Sequence, residues 1–178
     1  MSELVLDLFS GSGSATAPFR EHGDRVLAID KDPNQKPDMV ADLTHLSPRG
    51  WKARFVWASP PCVEYSYVRT FNKHTGEHYR YNPDLSCWRA AWDFIETTQP
   101  QFYVIENVLG AQRSWGKPTY RFGPWCLWSN IPNLAVGLVP GKSRLIWDRR
   151  YPTTRRTAVI PRAIAEAVHE AVCPKGSP

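Results

Sequence analysis

The sequence predicts an α/β fold, a mainly parallel sheet with helices on both faces. Three observations predict it. Short apolar runs (Leu4–Phe9, Arg25–Asp30, Phe55–Ala58 and Phe102–Glu106) recur through the first 106 residues, each of strand length. Stretches with helical spacing or helix-ending residues separate several of them. The first run empties into a Gly/Ser cluster, the kind of tight turn that passes a buried strand on to a helix. With 178 residues in all, and domains typically ~100–200 residues long, one domain is expected.

The elements follow in order. LVLDLF over Leu4–Phe9 is a buried strand. Ala15–His22 then has room for a helix, with Ser14 as N-cap, Pro18 in its first turn and Gly23 as its stop. RVLAID at Arg25–Asp30 is the second strand, and Phe55–Ala58 is a third or fourth. Leu85, Trp88, Trp92 and Ile95 give Asp84–Thr98 its helical period, and FYVIE follows as another strand. Beyond it, prolines at 118, 124, 132, 140, 152 and 161 leave space only for short strands and loops. Pro161–Val172 closes as a helix with its proline where a helix start tolerates one. Residues 1–110 therefore read as the core and 111–160 as a basic, Pro/Trp-rich region, with the terminal helix over 161–172.

Charge is uneven. The net charge is +5, yet residues 1–60 hold 7 basic and 8 acidic residues. Between Arg113 and Arg162 there are ten basic residues and one acid, Asp148. Arginines interleaved with Trp115, Tyr120, Trp125, Trp128, Trp147 and Tyr151 offer phosphate contacts and base-stacking surfaces together, so a nucleic-acid partner is expected; the plainer alternative is a solvated basic face. No run approaches a membrane span or a secretory signal. Cys62, Cys87, Cys126 and Cys173 show no Cys-x-x-Cys spacing, which argues against a zinc cluster or disulfide framework and suits a reducing cytoplasm. No metal is expected.

Three motifs carry chemistry. In Asp7–Ser14 (DLFSGSGS) the glycines let backbone approach a ligand closely. Asp30 ends the next strand about twenty residues on, where an acid commonly grips a ribose, and Asp42 is a second acid at the same edge; simple capping is the alternative for both. The loop has no phosphate-gripping lysine, which favours a nucleoside ligand over a triphosphate. Ser59-Pro60-Pro61-Cys62 holds a cysteine at the carboxyl end of the sheet. Glu106-Asn107-Val108 ends another strand, where apolar neighbours would raise the glutamate pKa enough for it to donate a proton near neutrality. Singly, each has a bland reading: a turn glycine, an inert cysteine, a loop acid.

Taken in order, DLFSGSGS, AID, ADL, SPPCxxxS and IENV resemble the carbon-5 cytosine methyltransferases, over roughly residues 4–108. The resemblance implies a Rossmann-like S-adenosylmethionine-dependent methyltransferase fold, with S-adenosylmethionine as cofactor. By that resemblance Phe9, Gly11 and Gly13 match the cofactor loop, Asp30 the ribose acid and Asp42 the acid near the adenine. Cys62 matches the nucleophile, Ser66 the serine of the loop after it, and Glu106 the acid that steadies the ring at nitrogen 3. Asp7 and Pro61 are grouped with the cofactor residues, and Asn107 with the catalytic ones. The usual long recognition region is reduced here. FGPWCLWSNIPNL and RRTAVIPRAIAEAV are similar instead to compact phage and prophage methyltransferase-like proteins. The arginine of the later catalytic motif has three candidates, Arg121, Arg144 and Arg156, with Arg144 preferred.

The expected activity is transfer of a methyl group to carbon 5 of cytosine in DNA, by a monomer in the cytoplasm of a bacterium or phage-infected cell. A target base in a duplex would have to be flipped out of the stack. Ser66, Arg113, Arg121, Arg149, Arg150, Arg155 and Arg156 are the expected nucleic-acid contacts. RNA is the rival substrate, and an idle nucleic-acid-binding protein of the same fold is the rival of another class.

Overall fold

In a computed structural model, which describes residues 4–65, 82–136 and 159–174, seven strands form one sheet in the order β3-β2-β1-β4-β5-β7-β6. They are β1 (Val5–Leu8), β2 (Val26–Asp30), β3 (Met39–Val40), β4 (Phe55–Ala58), β5 (Phe102–Val108), β6 (Tyr120–Phe122) and β7 (Trp125–Ser129). β1 pairs in parallel with β2 and β4, and β4 in parallel with β5. β7 alone runs against its neighbours, slotted between β5 and β6. The sheet is thus mostly parallel and Rossmann-like, as expected. Strand order reverses between β1 and β4, and open α/β sheets bind ligands in the crevice outside the carboxyl ends at such a point.

The alternation of side chains along each strand splits the core in two. Val5, Phe55, Trp57, Val104 and Leu127 face α1 (Ala17–Glu21) and α4 (Arg162–Val172), where Phe19, Ile164, Ala165 and Val168 are buried. Leu6, Leu8, Val56, Ala58 and Ile105 face α2 (Ser86–Thr98) through Ala91, Phe94 and Ile95. A short α3 (Gln112–Trp115) follows β5. Helices cover both faces, as the apolar pattern predicts.

Three boundaries differ from the sequence expectation. α1 is shorter than Ala15–His22 because the hydroxyls that would have started it are used elsewhere. Ser14 Oγ accepts from the Ile160 amide at 2.9 Å, and Thr16 Oγ1 donates to buried Asp7 at 2.5 Å. α2 begins at Ser86, with Asp84 just ahead of it accepting from the Ser86 amide at 2.8 Å. β5 continues to Val108, two residues past the expected end at Glu106, so Asn107 and Val108 also lie inside the strand. Antiparallel β7 makes this possible by offering Leu127, Cys126 and Trp125 as partners to Glu106, Asn107 and Val108. No helix among the described residues is long and apolar enough to cross a membrane.

Candidate active site

The glycine loop leaves β1 through Phe9, whose φ of 55° is rare for a bulky side chain and costs on the order of 1–3 kcal/mol. Such strain is typical of loops held in place for a ligand. Gly11 and Gly13 also have positive φ, 49° and 70°, and a Cβ at either would meet nothing within 4 Å. Their side of the loop is therefore open, while any L side chain would strain the backbone. The Gly11 amide donates to Asp30 Oδ2 and the Asp32 amide to Asp30 Oδ1, both at 2.9 Å. Asp30 fixes the loop against the end of β2 and retains lone pairs for a further donor.

Asp7 occupies a different place from the one expected of a ligand contact. It is fully buried within β1, its Oδ2 bonded to Thr16 and its Oδ1 without a hydrogen-bond partner. Burial pushes its pKa up to about 7, against the opposing Thr16 hydrogen bond and the nearby Arg20 charge. Asp7 braces the loop from beneath.

A cavity of about 250 Å³ opens at the carboxyl edge, walled by Phe9 after β1, Ala41 and Asp42 after β3, Pro61 after β4, and Ser86 and Cys87 at the start of α2. Small-molecule sites run from about 300 Å³ upward, so this one suits the nucleoside end of a ligand. Asp42 both caps and lines. Its Oδ1 accepts from the Thr44 amide at 3.0 Å and hydroxyl at 2.7 Å, and these bonds hold its carboxyl below the usual range. Lys31, Thr44, Asp84, Ser86 and Cys87 also line the cavity, and the sequence pattern assigned none of them to a site. The Asp-x-Ser start of α2 was a visible signal for two of them.

Cys62 follows β4 in a 3-10 turn (Cys62–Glu64) and is exposed. Its turn is tied to the strand that carries Glu106. The buried Asn107 donates from Nδ2 to the Pro60 carbonyl at 2.8 Å, and its Oδ1 accepts from the Val108 amide at 2.9 Å. On the other side, the Tyr65 hydroxyl donates to the Asp84 carbonyl at 3.3 Å, and the Tyr65 ring packs edge-on against Trp115 at 4.7 Å. Trp115 in turn stacks on Trp88 at 4.1 Å. The Pro-Pro-Cys turn is thus held at both ends, by β5 and by the start of α2.

Of the arginine candidates, Arg121 is on β6, exposed, donating to the Gly123 carbonyl at 3.2 Å. It pairs across the sheet with Cys126, which pairs with Asn107 on its other side. The Arg121 and Glu106 charges both act on the Cys126 thiol, in opposite senses, while burial pushes that thiol up. Arg121 is therefore close to the β5 end. Arg113 is exposed on α3. Ser66, Arg144, Arg149, Arg150, Arg155 and Arg156 lie outside the described residues.

Sheet order, the reversed β7, the strained glycine loop and the cavity beside it define a mostly parallel, Rossmann-like α/β fold with a ligand-sized site at its switch point, and the motif resemblance implies S-adenosylmethionine as the cofactor. The residues present fit that cofactor, with open glycines, an acid at the end of β2 and a nucleoside-sized cavity at the switch point. Among curated proteins the chain is similar to the type II methyltransferase M.DdeI of Desulfomicrobium norvegicum, 28% identical over 123 residues. That match takes in 60% of this chain and 28% of the relative, so the chain spans well under half of that protein. The motif resemblance to the carbon-5 cytosine methyltransferases stands alongside it. No family model matches. Among solved structures the chain is similar in part to a candidate DNA modification methyltransferase encoded within an E. coli prophage (TM-score 0.45, 18% identity, 64% of this chain and 34% of that one). Another is the S. pombe Dnmt2 methyltransferase (TM-score 0.43, 17% identity, 65% and 37%).

Proposed function

We propose that the chain methylates carbon 5 of cytosine in DNA, through a covalent adduct on Cys62. The observation that supports it most is the Asn107–Pro60 bond, which joins the Cys62 turn to the Glu106 strand beside a cavity walled by Phe9, Asp42 and Pro61. Phe9, Gly11, Gly13, Asp30, Asp42 and Pro61 would hold the cofactor. When bound, S-adenosylmethionine supplies a methyl group on a sulfonium, an electrophile that needs a carbon nucleophile.

Carbon 5 of cytosine is too weak a nucleophile unaided. The Cys62 thiolate adds to carbon 6, and the ring electrons move toward carbon 5 and nitrogen 3. Glu106 shares its proton with nitrogen 3 and stabilises the charge that develops there. After carbon 5 is alkylated its proton passes to solvent water, the electrons of that C–H bond restore the 5–6 double bond, and the thiolate leaves carbon 6. Asn107 holds the two motifs together and takes no part in proton transfer. Arg121, beside the β5 end, is the described arginine best placed to meet the substrate.

The test is incubation with methyl-labelled S-adenosylmethionine and matched DNA and RNA, single- and double-stranded, followed by digestion and identification of the labelled nucleoside. 5-Methylcytosine in DNA is the expected product. Label confined to RNA would move the substrate class, and label on adenine, or none anywhere, would defeat the proposal.

A further inference from the structure

At the opposite end of the sheet, Asp24 lies in the turn ahead of β2 while His169 and Cys173 lie one turn apart at the end of α4. Four-residue spacing on a helix puts two side chains on one face. Asp24, His169 and Cys173 bring an oxygen, a nitrogen and a sulfur within 4.8 Å of one another. Asp24 Oδ2 is 3.5 Å from His169 Nε2 and 3.9 Å from Cys173 Sγ. A tetrahedral zinc ion with ordinary bond lengths separates its oxygen and nitrogen ligands by about 3.4 Å, and oxygen and sulfur by about 3.6 Å. Both edges that involve Asp24 already stand within a few tenths of an ångström of those values, and the third lies within the 4.8 Å that bounds the set.

The surroundings fit as well. The other Asp24 oxygen, Oδ1, accepts from Arg54 Nη2 at 2.5 Å, so the two carboxylate oxygens have divided duties. The same nitrogen lies 3.0 Å from Cys173 Sγ, placed to donate to a thiolate. Outer partners of this kind orient ligands around a metal and offset their charge. The His22 ring stacks on His169 with centroids 4.3 Å apart. A cavity of about 410 Å³ bordered by His22, Glu166 and Glu170 leaves a fourth position open. A mixed oxygen, nitrogen and sulfur set selects zinc over magnesium or calcium.

We propose that Asp24, His169 and Cys173 bind one zinc ion, with water in the fourth position, and that the ion clasps α4 to the turn between α1 and β2. The site is remote from Cys62 and independent of the proposed methyl transfer. It departs from the expectation of no metal, which rested on cysteine spacing and did not weigh His169-x-x-x-Cys173 at the end of α4.

The whole chain, stripped with a chelator and dialysed, is titrated with zinc chloride by calorimetry, with magnesium chloride as control. One zinc per chain, proton release on uptake and a higher melting temperature are expected. His169→Gln and Cys173→Ser should each weaken zinc binding at least about tenfold. Circular dichroism of the metal-free variants checks that they fold. Cobalt substitution gives a readout that needs no change at the site: in a Cys62→Ser/Cys87→Ser background, a sulfur-to-cobalt charge-transfer band should persist. Absence of that band, no zinc uptake, equal uptake of magnesium, or uptake indifferent to both substitutions in folded protein would overturn the site.

Discussion

Cys62 and Glu106 differ in what their loss should do, because one forms a bond and the other shares a proton. Cys62→Ser should lower methyl transfer at least about a thousandfold while cofactor affinity holds, since an alcohol is a far poorer nucleophile than a thiolate. Single-turnover assay beside cofactor calorimetry checks it, and near-normal turnover would make the thiol structural. Glu106→Gln should cut the rate less completely, because an amide still bonds to the ring. Asp30→Ala should weaken cofactor binding roughly ten- to a hundredfold, the cost of a charge-assisted bond, and calorimetry showing unchanged affinity would remove Asp30 from the site. Asp7 has a different signature. Its pKa rises to about 7 on burial, so between about pH 4 and pH 7 the folded chain keeps a proton that the unfolded chain releases. Stability should therefore fall as pH rises through that window and level off above it, by up to about 4 kcal/mol. Urea unfolding at several pH values should show that slope in the wild type and lose it in Asp7→Asn.

At the scale of elements, the legible parts were those with local causes. β1, β2, β4, α2 and α4 appear within one or two residues of where apolar spacing and turn residues put them, since Gly23 and Pro161 act on their own neighbourhoods. β5 ran past its expected end because its last three residues depend on a strand nearly twenty residues later. The shortened α1 has the same kind of cause: Ser14 bonds to Ile160 and Thr16 to Asp7, contacts that no local window contains. The glycine loop, Asp42 and Pro61 were legible as neighbours because each motif follows a strand on the same edge, and Phe9, Asp42 and Pro61 wall the cavity there. The brace between Pro60 and Asn107 was not, since it spans 47 residues. It is also the part most open to test. Asn107→Ala leaves the Pro60 carbonyl unpaired in a buried place, at a cost of about 1–3 kcal/mol. Equilibrium unfolding should show that loss, and methyl transfer should fall further than the stability change explains, because the Cys62 turn is no longer held to β5.

For the whole molecule the charge distribution makes the boldest claim. Fifty positions from Arg113 to Arg162 carry ten of the 22 basic residues and a single acid. Six of the basic side chains fall outside the described residues, and salt dependence reports on all ten. Each phosphate neutralised on duplex DNA releases counterions and adds about −0.9 to the slope of log affinity against log salt. Ten cations cannot all meet one backbone, so about four to six contacts are expected by that relation. Replacing Arg149, Arg150, Arg155 and Arg156 with alanine should flatten the slope and weaken binding alike across sequences, with cofactor affinity unchanged. If some of these arginines read guanine edges instead, single substitutions would relax sequence preference and leave the slope nearly constant. Arg121 differs from the four, since its place beside the β5 end predicts a loss of rate greater than its share of the slope. A quadruple variant with wild-type affinity and slope would show the basic stretch to be a solvated face. The contact surface would then have to be sought nearer Cys62.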